Sequence, residues 1–155
     1  MERIASFNVD HNVLVPGLYL SRRDGSVTTL DMRFKKPNTG DLLTNPEMHS
    51  CEHIMATFLR NSAKKDAIVY FGPMGCQTGF YFLYDNTKMT DAEAIDLLKK
   101  TVADGAVYDG PMPGKSPVEC GNYINLDTAH SRRCLAYYLD VIKDWTEADL
   151  VYPTK

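Results

Sequence analysis

Two histidines four residues apart with a glutamate between them fix the character of one segment of this chain, His49-Ser50-Cys51-Glu52-His53. In an α-helix a four-residue step advances about one turn and about 6 Å, so both imidazoles fall on one face, where one divalent ion can bridge them. Glu52 follows His49 by three residues and projects to the flank of that face. There it can handle protons but is poorly placed to complete the same coordination plane. The order HxxEH occurs in inverted zinc peptidases, yet the pattern alone leaves the reaction open.

The flanking residues predict the helix. Asn45 is an N-cap candidate, Pro46 sits where a missing N–H does no harm, and Glu47 places an acid in the first turn. Met48, Cys51, Met55, Phe58 and Leu59 then recur at three- and four-residue spacing on the opposite side. The segment therefore has a core face and a chemical face. Arg60 falls nearly in line with the histidines, about 10 Å beyond His53 along the axis, within reach of the charged end of an extended substrate.

A chain of 155 residues holds one domain with a sizeable core, and two only with difficulty. No repeat or low-complexity linker divides it, so residues 1–155 are expected to form a single domain. A net charge of −3 and a pI near 5.8 argue against a nucleic-acid partner, because no basic stripe is available to neutralise phosphates. Lys64-Lys65 and Lys99-Lys100 read as solvated pairs. Met1-Glu2-Arg3-Ile4-Ala5 lacks the apolar segment of a signal peptide, and no run approaches the roughly 18 residues of a membrane span. A cytoplasmic location is expected. In a reducing compartment the four cysteines suit ligation, catalysis or core packing better than disulfides, and the absence of a CxxC pair disfavours a closed zinc knot.

Along the chain, Leu18 to Arg22, Asp24-Gly25 and Val27 to Phe34 predict a hairpin. In its second arm Leu30, Met32 and Phe34 alternate with Thr29, Asp31 and Arg33, and the simplest reading puts the two charged residues on the wet side. Ala67 to Phe71 and Gln77 to Tyr84 are strand-like, separated by Gly72-Pro73-Met74-Gly75-Cys76. Thr90 and Glu93 form a capping box for a helix carrying Ile95, Leu98 and Val102, with Gly105 as its expected stop. After a proline-rich loop from Asp109 to Pro117, a last helix begins near Asn125 or Asp127, with Leu135, Tyr138, Leu139 and Ile142 inward. Hairpins and helices in this order predict an α+β fold, an antiparallel sheet packed with helices.

Two histidines do not fill a catalytic site, which needs a third protein ligand and one open position. Cys120, Cys76, Glu119 or another carboxylate are the candidates. Cys120 lies in a loop before Gly121, and its spacing suits a ligand and an ordinary buried cysteine equally. Cys76 closes a turn between Gly75 and Gly79, where a substrate can approach; a nearby cation would favour its thiolate and make it a usable general base. Cys51 and Cys134 read as core, His130 as a solvated helix residue, and His11 carries no signal of its own.

Taken together, Ser6-Phe7-Asn8-Val9-Asp10-His11, Asp31-Met32-Arg33-Phe34, Pro37-Asn38, the HSCEH helix with Arg60, Gly72 through Tyr81 and Cys120-Gly121 resemble the S-ribosylhomocysteine lyase family, known as LuxS. The similarity runs from Ser6 to the final helix, in order and at compatible spacing. It implies a ferrous ion, replaceable by zinc or cobalt, on His49, His53 and Cys120, with Cys76 and Glu52 as the acid/base pair. It further implies a homodimer with sites at the subunit interface, where Ser6, His11 and Arg33 contact the sugar. The implied reaction converts S-ribosylhomocysteine to homocysteine and 4,5-dihydroxy-2,3-pentanedione, the precursor of the autoinducer-2 signal, by carbonyl migration and β-elimination.

The chain departs from that family at two places. Tyr70-Phe71-Gly72 stands where members often carry Asp, an aromatic or aliphatic residue, and Ser, so Arg60 is left to hold the homocysteine carboxylate. Cys51 replaces a more usual aliphatic residue on the core side of the helix. The alternatives are an HxxEH metallopeptidase, in which Glu52 activates water and Glu93 is the available downstream acid, and a metal-dependent module without catalysis, which would have no use for Cys76.

Overall fold

Leu30 and Met32 point one way from the second arm and Asp31 and Arg33 the other, and the sheet is built around that division. The computed structural model describes all 155 residues. Its elements in chain order are β1 (Gly17–Asp24), β2 (Val27–Arg33), α1 (Asn45–Arg60), β3 (Ile68–Pro73), β4 (Gly79–Asp85), α2 (Asp91–Val107) and α3 (Thr128–Ile142). The strands form one antiparallel sheet in the order β1-β2-β4-β3. This is the expected α+β architecture, with the β1–β2 hairpin turning at Gly25, whose φ of 58° suits a residue without a Cβ.

One face of the sheet is dry. Leu18, Leu30, Met32, Phe71, Phe80 and Phe82 are buried against Ile54, Met55 and Leu59 of α1, Leu98 and Val102 of α2, and Leu135 and Tyr138 of α3. Phe34 stacks on Tyr138 at 4.0 Å between ring centroids, so aromatic packing ties the end of β2 to α3. Helix α1 starts one residue earlier than its proline suggests. Thr44 is the N-cap and forms a capping box with Glu47, while Asn45 is already helical. Its inner face is the expected one with Ile54 and Ser50 added, except that Phe58 is only half-buried, edge-on to Tyr108. Ser50 accepts the backbone N–H of Asp127 at 3.0 Å, and Asp127 in turn caps α3, so the two helices are registered through a buried hydroxyl.

Gly105 does not stop α2, which continues to Val107. A Cβ there would come within 2.4 Å of Leu135 and 3.2 Å of Ile54, so the glycine serves close packing of three helices instead. Gly79 has a sharper requirement. Its added Cβ would meet the Met32 carbonyl oxygen at 2.3 Å, a backbone atom that cannot swing away. Gly79→Ala is expected to destabilise the fold by about 1–3 kcal/mol or more. Gly75→Ala, with open space around it, should stay within about 0.5 kcal/mol of the parent; parallel denaturant melts check both.

The outer face corrects the sequence expectation. Asp31 and Arg33 lie away from the helices, yet they are 1% and 3% exposed. Tyr19 and Tyr81 pair with Asp31 from the neighbouring strands, and the C-terminal tail folds across them, with Tyr152 donating to Asp31 at 2.7 Å. The tail is fixed along the sheet edge, where Leu20 N–H donates to the Leu150 carbonyl. Further along, the face is open: Val69 and Tyr70 are 40% and 52% exposed. No helix is long and apolar enough to cross a membrane.

Candidate metal centre and active site

On α1 the two imidazoles project together as spacing requires, with ring centroids 4.7 Å apart and planes nearly perpendicular. Each ring is held by its Nδ1. His53 Nδ1 donates to the Pro113 carbonyl at 2.9 Å, and His49 Nδ1 donates to Asn125 Oδ1 at 2.6 Å. The carbonyl is acceptor-only, and the Asn125 amide is oriented by its NH₂ donating to Asn45 Oδ1 at 2.7 Å. Both Nδ1 atoms therefore carry a proton, which makes Nε2 the ring atom that each histidine can offer to a metal.

Cys120 completes the group. Its Sγ lies 3.3 Å from His49 Nε2, and one ligand atom from each of His49, His53 and Cys120 lies within 4.8 Å of the others. The other third-ligand candidates are turned elsewhere: Glu119 is bonded to Ser116 at 2.7 Å, and Cys76 faces Thr78 and Arg33. Glu93 of the peptidase alternative is committed to its capping box and to Lys64. Two imidazoles anchored through Nδ1 and one thiol are a donor set suited to a borderline-soft divalent ion, which would leave a fourth position for an exchangeable ligand.

The loop from Asp109 to Pro117, silent in the sequence, has a visible purpose here. Besides the Pro113 carbonyl, it presents Gly114 at φ 73°, so close that a Cβ would stand 2.9 Å from His53 Nδ1. Asn125 was the other residue missed, since an asparagine in a short 3₁₀ turn before α3 gives no warning that it orients a ligand across the fold. Removing its carbonyl leaves His49 free to rotate. Asn125→Ala is expected to weaken metal retention about 10–100-fold, as measured by chelator competition, with the fold intact.

Glu52 and His49 share a cleft of about 190 Å³ with Pro73 and Asn122. Pro73 ends β3 and opens the turn that carries Cys76. That turn is stiff: Leu43 N–H donates to the Gln77 carbonyl at 2.9 Å and Gln77 Nε2 returns to the Leu43 carbonyl at 3.0 Å, while Gln77 takes φ 64°. Phe34 N–H and Lys35 N–H both donate to the Thr78 carbonyl at 2.9 Å, so the turn is tied to the end of β2. Cys76 itself is exposed, with Sγ 3.0 Å from Thr78 Oγ1 and 3.9 Å from Arg33 Nη1. Burial would lower the Arg33 pKa, but the two-point contact with Asp31 outweighs it and holds the guanidinium above its ordinary value, hence charged.

Cys51 and Cys134 are core residues, as expected. Burial raises the Cys51 pKa well above the usual thiol range and pushes Cys134 up to about 12, so both stay protonated. Of the remaining candidates, Arg60 ends α1 with Nη2 donating to the Val69 carbonyl at 3.0 Å, and His11 Nδ1 bonds the Val9 carbonyl at 2.9 Å. Ser6 lines a hollow of about 380 Å³ on the open sheet face with Tyr70 and Tyr81. Within one chain neither Ser6 nor His11 hydrogen-bonds to Cys76 or to the His/Cys group.

An α+β chain with a two-histidine, one-cysteine group open on one side and a glutamate alongside has the makings of a single-ion metalloenzyme. The family model of S-ribosylhomocysteinase (LuxS) matches residues 4–149. Proteins named S-ribosylhomocysteine lyase are similar over nearly the whole length: that of Finegoldia magna is 38% identical over 157 residues, covering 99% of both chains. The protein so named from Clostridium beijerinckii is 41% identical over 160 residues, again with 99% of each covered. Its counterpart in Desulfotalea psychrophila is 42% identical over 161 residues, covering 99% of this chain and 100% of that one. The chain belongs to the S-ribosylhomocysteinase (LuxS) family, a family of carbon–sulfur lyases.

Proposed function

We propose that this chain, acting as one domain over residues 1–155, is an iron-dependent, homodimeric S-ribosylhomocysteine lyase of the cytoplasm. It releases homocysteine to the methyl cycle and 4,5-dihydroxy-2,3-pentanedione as the precursor of a quorum signal. The observation that carries the reading is the His49–His53–Cys120 group with both Nδ1 atoms already engaged, beside Glu52, in a member of this family.

His49, His53 and Cys120 would hold the ion, with iron the natural occupant and zinc or cobalt able to replace it. Bound there, a divalent ion supplies Lewis acidity to the carbonyl and adjacent hydroxyl of the opened ribose. Cys76, as thiolate, takes the proton from the carbon beside the carbonyl and returns it to the neighbouring carbon; a second exchange brings the carbonyl to carbon-3. Arg33 keeps a positive charge beside that sulfur. Glu52 carries protons among the substrate oxygens and assists the last step, in which a proton leaves carbon-4, its electrons form the double bond, and homocysteine departs as thiolate. Each carbon oxidised is matched by a neighbour reduced, so the sequence needs no redox partner.

Arg60, exposed and bonded only through Nη2, keeps donors for the homocysteine carboxylate. Ser6 and His11, with Arg33, contact the sugar at the subunit interface. The open outer face of the sheet supports that arrangement: Ser6 lines its hollow with Tyr70, and Tyr70, its neighbour Val69, and Ile4 and Phe7 on either side of Ser6 in sequence are exposed apolar residues.

The test is anaerobic incubation of iron-loaded protein with S-ribosylhomocysteine. Free thiol and the dione should appear in equal amounts. A folded, metal-bound protein that releases neither would overturn the proposal.

A further inference from the structure

Between the C-terminal tail and Cys76 runs a line of buried polar groups in which the chemistry of each partner settles the direction of each hydrogen bond. Tyr152 Oη donates to Asp31 Oδ2 at 2.7 Å, since a carboxylate only accepts. Arg33 Nε and Nη2 donate to the two oxygens of Asp31 at 3.1 and 2.7 Å. The third arm of the guanidinium, Nη1, donates to Thr78 Oγ1 at 2.7 Å. Because a guanidinium has no acceptor, the Thr78 oxygen accepts there, and its one proton is left over. Cys76 Sγ lies 3.0 Å from that oxygen. When the sulfur is ionised, the hydroxyl proton is the one that can lie between them.

We propose that Thr78 and Tyr152 are positioning residues for Cys76: Tyr152 and Asp31 hold Arg33, and Arg33 turns the Thr78 hydroxyl so that its proton points at the reactive sulfur. The proposal rests on the reading of Cys76 as the base. Thr78 is 3% exposed, its backbone is fixed by the bonds from Phe34 and Lys35 to its carbonyl, and its hydroxyl oxygen is held by Arg33. Tyr152 is held from behind by Tyr19, stacked with ring centroids 5.0 Å apart.

The variants are conservative by shape. Thr78→Val keeps the branched side chain and loses the hydroxyl, Thr78→Ser keeps the hydroxyl, and Tyr152→Phe keeps the stack on Tyr19. In the metal-loaded, full-length protein, the rate of iodoacetamide alkylation is followed on the peptide containing Cys76 at one fixed pH, beside kcat and KM for S-ribosylhomocysteine. Thr78→Val should slow alkylation and kcat about tenfold with KM unchanged, the effect of losing one hydrogen bond to a charged group. Thr78→Ser should recover both to within roughly twofold, and Tyr152→Phe should slow both by about threefold, as expected for a neutral donor acting at a distance. Alkylation at the parent rate in Thr78→Val, or a Thr78→Ser variant as slow as Thr78→Val, overturns the proposal. Slowed alkylation with turnover intact supports the positioning and overturns Cys76 as the base.

Discussion

Replacing Cys76 by alanine should lower thiol release by roughly 10²–10⁴-fold, the usual worth of a positioned general base, while metal content stays at the parent level. The two halves of that result come from separate parts of the structure. Cys76 is on the turn between β3 and β4, bonded toward Thr78 and Arg33, and is not one of the grouped His and Cys ligand atoms. Its side chain is exposed, so alanine removes the thiol without opening a core cavity. Single-turnover thiol release on iron-loaded protein, with metal measured on the same sample, checks both. Alanine at position 76 with full turnover would remove the base from the mechanism; loss of metal would move Cys76 into the coordination sphere. An HxxEH peptidase, relying on Glu52 and bound water, would be indifferent to the change.

The site's local half was legible in the chain. Four-residue spacing on a two-faced helix put His49 and His53 side by side, because helical geometry links sequence distance directly to space. The stripe of Met48, Cys51, Met55 and Leu59 oriented that helix correctly against the sheet. Spacing alone left Cys120 one of several third-ligand candidates, and only the family resemblance singled it out; the fold brings it to His49 across 71 positions of sequence. Asn125 and Pro113 were invisible for the same reason: an amide or a carbonyl has no characteristic spacing, and each acts on an imidazole far away along the chain. Gly105 misled because a glycine near a helix end is read as a stop, whereas here Leu135 and Ile54 need the room.

The other misreading, Asp31 and Arg33 as solvent-facing, leads to the largest expected loss of stability. Alternation was right about the face and silent about what covers it, since Tyr152 arrives from the other end of the chain. Replacing Asp31 by leucine should destabilise the fold by about 3–5 kcal/mol, because it leaves the Arg33 guanidinium charged, buried and without its two-point acceptor. Tyr152 loses its acceptor as well. The pair as a whole contributes far less than that, since desolvating two ions offsets most of their attraction. A double variant, Asp31→Leu with Arg33→Met, should therefore return to within about 1–2 kcal/mol of the parent, as read from urea midpoints at unchanged slope. Thiol release should stay low in the double variant even so, because no cation would remain beside Cys76. A single variant of parental stability would mean that water reaches the guanidinium after all, and a double variant of parental activity would mean that Arg33 has no part in holding the thiolate. Recovery of the fold without recovery of turnover is the outcome that assigns this ion pair to the reaction and not to the stability of the sheet.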